Sequence, residues 1–255
     1  MEFVEVSTEG AVALVRLNRP PVNALTEDVA LELKEAFGDC ADPAIRSVVV
    51  TGEPHFAAGA DINGFQATFD AGVEERTAWT LQEAIAIFES LEKPTIAAVH
   101  GYALGGGLEL AMGADFRYLA DDARVGQPEI LLGLMPGAGG TQRLARLVGY
   151  QRAKEMVFTG RQLDADEALE IGLADEVFPG DALLDAALEA AREWAKRPTR
   201  ALGAAKKALN FGFGRPVSEG LLIEREAFNE SFKTEDARAG VAAFIAKRQA
   251  EFKGR

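Results

Sequence analysis

An α/β fold with a helical C-terminal region is what this sequence predicts, and three observations predict it. Short β-branched runs alternate with helical patterns through the first two-thirds of the chain. Glycine-containing turns follow the apolar runs at Gly52 and Gly101 and lead towards helices. Beyond residue 183 the apolar residues fall at helical spacing instead. Repeated strand-turn-helix units gather their turns on one side of the sheet, where sites usually form.

Taken in order, Ala11-Val-Ala-Leu-Val-Arg-Leu17 reads as a strand, stopped by Pro20 and Pro21, which cannot continue a ladder. Thr26 is the N-cap of a helix to about Cys40, with Glu27 and Asp28 favourably placed in its first turn. Ser47-Val-Val-Val-Thr51 is a second strand ended by Gly52. A loop through Asp61 precedes a helical stretch from about Val73 to Leu91. Thr95-Ile-Ala-Ala-Val99 is a buried strand closed by Gly101. Leu183, Leu184, Ala187, Leu188, Ala191 and Trp194 form a helical stripe that Pro198 breaks. From there the chain reads as helical to its end, with Phe228 and Phe232 on one face and Val241, Phe244 and Ile245 on another. Helices this apolar need cover, from the core or from a second copy of the chain. The resulting division is an α/β core over 1–198 and a helical region over 199–255.

Composition narrows the function. With 255 residues, 48% hydrophobic and 26% charged, the chain has the make-up of an ordinary folded protein. A net charge of −13 repels polyanions and argues against nucleic-acid binding. One cysteine, Cys40, allows no internal disulfide and suggests a reducing compartment. The N-terminus lacks a signal-peptide pattern, and the apolar stretch between Lys93 and Asp115 is interrupted by five glycines. A cytoplasmic location away from the membrane is therefore expected.

Two glutamates carry the chemical signal. Glu109 lies in Ala103-Leu-Gly-Gly-Gly-Leu-Glu-Leu-Ala-Met-Gly113, and Glu129 in Val125-Gly-Gln-Pro-Glu-Ile-Leu-Leu-Gly-Leu-Met135. Neither stretch offers a Lys or Arg partner. Burying such a carboxylate costs several kcal/mol or raises its pKa, which suits general acid–base catalysis near neutral pH. The structural alternative is that either side chain reaches solvent or caps an amide. Gly105-Gly-Gly107 opens an apolar helix, so its backbone N–H groups can meet a developing oxyanion; a tight turn where only glycine fits is the competing account. Phe56-Ala-Ala-Gly-Ala-Asp61 and Pro136-Gly-Ala-Gly-Gly-Thr141 are further small-residue turns, without a P-loop ending or a dinucleotide fingerprint.

Other chemistries fit poorly. Two histidines and one cysteine make a zinc site improbable, and there is no Gly-x-Ser-x-Gly elbow. Asp61 and Asp115 beside the glutamates would be an unusually apolar magnesium site, so no metal is expected. His100, at a strand end, reads as a packed or hydrogen-bonded residue rather than a base. Glycoside hydrolysis also uses two carboxyls, but only Tyr102 supplies an aromatic platform near them.

These segments together resemble the enoyl-CoA hydratase/isomerase (crotonase) family. The resemblance spans Leu17-Asn-Arg-Pro, Asn23-Ala-Leu25, Phe56-Ala-Ala-Gly-Ala-Asp-Ile62, Gly101-Tyr-Ala-Leu-Gly-Gly-Gly-Leu-Glu-Leu-Ala111, Gly126-Gln-Pro-Glu-Ile-Leu-Leu-Gly133, Pro136-Gly-Ala-Gly-Gly-Thr-Gln-Arg-Leu144 and Ala243-Phe-Ile-Ala-Lys-Arg248. It implies a spiral of ββα units with a C-terminal helical region, assembled as a homotrimer or homohexamer. It implies reversible syn addition of water across the 2,3 double bond of a trans-2-enoyl-CoA, giving a 3-hydroxyacyl-CoA. The thioester oxygen would sit between the N–H groups of Ala60 and Gly106, each worth about 3 kcal/mol in the transition state. Glu109 would activate water, Glu129 would deliver a proton to C2, and the Gly137 N–H would help hold that water. Relatives that only move a double bond commonly lack the equivalent of Glu109, so its presence favours a hydratase over an isomerase. Coenzyme A arrives with the substrate and no separate cofactor is implied. Ala58, Ala60, Asp61, Ile62 and Asn63 would line the CoA and thioester region, although relatives often carry Lys at Asn63. Phe244 and Lys247 match positions that reach CoA from a neighbouring subunit; an ordinary amphipathic helix is the other reading. Some relatives bind RNA, which the acidic charge here opposes.

Overall fold

The computed structural model describes residues 1–72 and 78–255, without the side chains of Asn63 and Ala67. Its main sheet has six strands. In spatial order these are β1 (Val4–Glu9), β2 (Val12–Leu17), β3 (Ser47–Gly52), β4 (Thr95–Val99), β6 (Phe116–Ala120) and β9 (Glu176–Phe178). β1 runs antiparallel to β2, and every other pair is parallel. β3 and β4 are buried along their whole length, as central parallel strands covered on both faces must be. That is why they read as unbroken apolar runs rather than alternating ones.

The expected first helix is α1 (Glu27–Asp39), and Thr26 caps it by accepting from the Val29 N–H at 3.3 Å. Its Phe37 stacks on Phe88 of α3 (Trp79–Ser90), with ring centroids 4.3 Å apart. On the sheet's other layer, α8 (Leu183–Ala195) lies over β3 and β4, and Ser47 Oγ donates to Ala191 O at 2.7 Å. Lys93 is buried where α1 ends, and its ammonium donates to the carbonyls of Cys40, Asp42 and Ile45. Three acceptors in place of an anion are what make that buried cation tolerable.

A second sheet of three short strands positions the chemistry. β5 (Tyr102–Leu104) pairs in parallel with β7 (Arg124–Gly126), which pairs antiparallel with β8 (Gln162–Asp164). β5 runs into α4 (Gly106–Met112), and β7 runs into a 3₁₀ turn over Pro128–Leu132. The two elements carrying Glu109 and Glu129 therefore start from adjacent, parallel strand ends. α5 (Gly140–Val148), α6 (Tyr150–Thr159) and α7 (Ala165–Glu170) complete the core, and α9 (Thr199–Gly212), α10 (Val217–Phe232) and α11 (Glu235–Ile245) form the C-terminal helical region.

Three expectations need correction. The N-terminal segment, given no element in the sequence reading, is β1, because an edge strand half-exposed to solvent lacks a clean apolar signal. A helix, α2 (Ile62–Ala71), follows Asp61, where a loop and then a later helix were expected. Positions 73–77, the start expected for that later helix, lie outside the described residues, and its remainder is α3. Finally, the chain is not helical to its end. Lys247 adopts a positive φ of 52°, and the last residues run as an irregular tail. Asp236 holds that tail by accepting from the N–H groups of Lys253 and Gly254, both at 2.7 Å, and Arg46 Nη1 donates to Phe252 O at 3.0 Å. No helix of the described residues is long and apolar enough to cross a membrane.

Candidate active site

Glycine builds the meeting point of the two glutamates. Gly105 links β5 to α4 with φ 52° and ψ −122°, a conformation that side-chain-bearing residues rarely adopt, and its N–H donates to Gly126 O at 2.9 Å. A Cβ on Gly105 would lie 3.1 Å from Glu129 Oε1, and one on Gly106 would lie 4.0 Å from Glu109 Oε2. One on Gly107 would meet Ala57 O at 2.0 Å, so the start of α4 sits directly against the 56–61 turn. That turn is tied on by Ala57 N–H to Tyr102 O (2.9 Å) and Leu104 N–H to Ala57 O (3.1 Å).

The same strand-like contacts orient Ala60. Leu25 N–H donates to Gly59 O at 2.8 Å, and Asp61 N–H donates to Leu25 O at 3.1 Å. In a parallel bridge of this kind the intervening residue turns its own N–H away from the partner strand. Gly106 is the first residue of α4, whose leading N–H groups have no acceptor within the helix. Two backbone donors thus belong to neighbouring turns. Arg19 braces the first of these turns, with Nη2 on Asp61 Oδ2 (2.9 Å) and Nη1 on Ala24 O (3.1 Å).

Glu109 is 2% exposed, and its Oε1 accepts from the N–H groups of Ala138 (2.8 Å) and Gly140 (2.7 Å). Burial raises its pKa, against the lowering effect of those two amides and of the Arg143 cation. Glu129 is half-buried, and burial pushes its carboxyl up to about 7, with the nearby Glu109 charge adding to the rise and its own backbone N–H opposing it. Gln127 is fully buried beside it. Its amide, oriented by its hydrogen-bonding partners, donates to Glu129 Oε1 at 2.8 Å and Oε2 at 3.1 Å. Gln127, Arg143 and the amides of Ala138 and Gly140 were not singled out from the sequence. Their only signal was membership of the Gly-Gln-Pro-Glu and Pro-Gly-Ala-Gly-Gly-Thr-Gln-Arg segments.

The remaining predicted residues divide. Ala58 and Asp61 are half-buried in the 56–61 turn, and Ile62 is exposed at the start of α2. The Asn63 side chain lies outside the described residues. Gly137 is exposed in the loop whose next residues grip Glu109. Phe244, 84% exposed, and Lys247 lie at the end of α11, which packs principally on α10 rather than on the elements bearing the glutamates. His100 packs at the end of β4, where its buried Nε2 finds no partner among the described residues, and burial lowers its pKa. Asp115 accepts from Thr95 N–H and Lys206 Nζ, both at 2.9 Å. Among the described residues no three His, Cys, Asp or Glu side chains are grouped to hold a metal ion.

Residues 7–255 match the family model for enoyl-CoA hydratase/isomerase. The chain belongs to that family. It is 44% identical to a probable enoyl-CoA hydratase of Rhizobium meliloti over 100% of this chain and 99% of the relative. It is 43% identical to a short-chain-enoyl-CoA hydratase of Clostridium acetobutylicum, covering 99% and 98%. A crystal structure of the Geobacillus kaustophilus enoyl-CoA hydratase superposes with a TM-score of 0.95 at 36% identity, covering 99% of this chain and 97% of that one. The crotonase-type architecture expected from the sequence is thereby established, including its C-terminal helices.

The pKa directions give a stability test for this family member. Glu129 binds its proton more tightly folded than unfolded, so its contribution is fully present below the ordinary value of 4.5 and is lost as pH rises through about 7. Glu129→Gln removes that loss. Its Tm relative to wild type is expected to climb between those two pH values and level off above them. A Tm difference flat with pH would contradict the raised pKa.

Proposed function

We infer that this chain is an enoyl-CoA hydratase, adding water reversibly and syn across the 2,3 double bond of a trans-2-enoyl-CoA. The observation that carries the reading is the convergence of two carboxyls with raised pKa values on turns that also present the Ala60 and Gly106 amides. The full-length similarity to enoyl-CoA hydratases supports it.

In this reading the thioester oxygen accepts from the N–H groups of Ala60 and Gly106, which stabilise the enolate-like charge as the reaction proceeds. Glu109, ionised and fixed through Oε1 by two amides, keeps Oε2 for the attacking water and takes its proton. The hydroxyl joins C3, and Glu129 in its protonated form gives a proton to C2. A carboxyl with a pKa of about 7 holds and releases that proton readily at neutral pH. Both carboxyls act from one face of the double bond, which makes the addition syn. Passage of the proton from Glu109 to Glu129 restores the starting state. A double-bond shift needs one proton-transfer group, whereas a firmly held second carboxylate beside it favours water addition.

The CoA moiety is assigned to Ala58, Ala60, Asp61, Ile62 and Asn63, with Gly137 beside the water and no further cofactor. Phe244 and Lys247 are assigned to the CoA of a neighbouring subunit. Residues 199–255 are assigned to assembly as a homotrimer or homohexamer, and the enzyme to the cytoplasm. Support for assembly comes from the large apolar side chains left bare on α9 and α10, among them Leu209 (71% exposed), Phe211 and Phe228.

With crotonyl-CoA as substrate, loss of the enoyl-thioester absorbance should be rapid in wild type. It should fall about a hundred- to ten-thousandfold in Glu109→Gln and in Glu129→Gln, with the fold intact by circular dichroism. Near-wild-type turnover in either variant would overturn these roles. The purified chain should sediment as a trimer or hexamer, and Phe228→Asp should lower that mass; a monomeric wild type would refute the assembly.

A further inference from the structure

The segment that grips Glu109 is irregular up to Gly139 and joins α5 only at Gly140, so Ala138 must be fixed by something other than sheet or helix bonds. Ala138 is held at both ends. Its N–H donates to Glu109 Oε1, and its carbonyl accepts from Arg143 Nη1 at 3.0 Å. Arg143, in the first turn of α5, is in turn clamped by Glu89 of α3. Its Nη2 donates to Glu89 Oε2 at 2.6 Å and its Nε to Oε1 at 3.3 Å. The arginine side chain is 14% exposed, so this pair is shielded in part from solvent.

Adjacent glycines let both groups approach the loop. A Cβ on Gly139, whose φ is 109°, would lie 2.0 Å from Arg143 Nη1. A Cβ on Gly140 would lie 2.9 Å from Glu109 Oε1. The guanidinium thus occupies the space one glycine vacates, and the carboxylate the space vacated by the next. A planar fork that reaches a carbonyl and a carboxylate at once suits arginine and not lysine.

We propose that Arg143, clamped by Glu89, is a positioning residue for hydration, fixing the 136–140 loop and through it the Glu109 carboxylate that holds the attacking water. The proposal rests on the role given to Glu109 above. The arginine cation also counters the effect of burial on Glu109 and so helps keep that carboxyl ionised. Other charged or titratable groups on the elements around α4 are few. α3 brings Glu83, paired with Lys34, besides Glu89. β5 brings Tyr102, set against the His55 ring, and β4 brings none. α5 adds Arg146, bonded to Gln142, and the 3₁₀ turn adds Glu129.

The test compares the pH profiles of kcat and KM for crotonyl-CoA in wild type, Arg143→Met, Arg143→Lys, Glu89→Gln and the control Arg146→Met. Arg143→Met should lower kcat about ten- to a hundredfold, with KM changed less than about twofold. The acid limb of its kcat profile should move up by about one pH unit, because the base has lost its cation. Arg143→Lys should return that limb towards wild type while kcat stays several-fold low. Glu89→Gln should lie between wild type and Arg143→Met, and Arg146→Met should match wild type. An unmoved acid limb in Arg143→Met, or a loss confined to KM or to Tm, would overturn the proposal. If Arg143→Met fails to fold, wild-type kcat in both Arg143→Lys and Glu89→Gln would overturn it equally. An inactive wild type removes the hydratase reading and this proposal together, whereas an active one with unaffected variants removes this proposal alone.

Discussion

The parallel pairing of β5 with β7, two strands of three residues each, is the constraint on which the candidate site depends. It sets Leu104 opposite Gly126 and lets the Gly105 N–H reach the Gly126 carbonyl at 2.9 Å. The chain leaves these strand ends in two directions, into α4 and into the 3₁₀ turn. Each exit carries one glutamate, and the 56–61 turn closes over them through Ala57 and Leu104. A Cβ at Gly105 would crowd the Glu129 carboxyl, and one at Gly107 would strike Ala57 O. The glycine run is therefore a packing requirement: it lets backbone amides and carboxyls approach more closely than side chains would allow.

Placing two carboxyls in such a site raises an electrostatic problem, which the fold resolves unequally. Glu109 is the more deeply buried, yet it receives two backbone N–H bonds, each worth about 1.5–3 kcal/mol to a charged acceptor. It also feels the Arg143 cation. Glu129 receives the Gln127 amide instead of a cation, and its pKa rises to about 7. At Glu109 the amides and the cation oppose the rise that burial imposes, whereas Glu129 is left close to half-protonated at neutral pH. A pair whose environments push the two members towards different protonation states is suited to an acid and a base acting in one step.

Much of this was legible in the sequence because it depends on local patterns. The buried parallel strands announced themselves as unbroken β-branched runs, and Thr26 with Glu27 and Asp28 marked the start of α1. Glu109 and Glu129 stood out because charge is rare among glycine and aliphatic residues. What escaped depended on contacts between distant segments. Nothing within residues 1–9 requires an edge strand until β2 is there to pair with. Arg143 looks like any helical surface arginine until Glu89, 54 positions away, is seen to face it. The Gln127 amide becomes informative only once the Glu129 carboxyl is found beneath it. The tail after Ile245 reads as helix, because the bonds from Asp236 and Arg46 that hold it otherwise come from other elements.

The central claim is that Glu109 and Glu129 act as a unit in one hydration step, and a double-mutant cycle tests it most directly. kcat/KM for crotonyl-CoA would be measured in wild type, Glu109→Gln, Glu129→Gln and the double variant. A unit predicts strong non-additivity, with the double variant scarcely slower than either single one. Losses that multiply in the double variant would mean that the two carboxyls act independently, and would contradict the account.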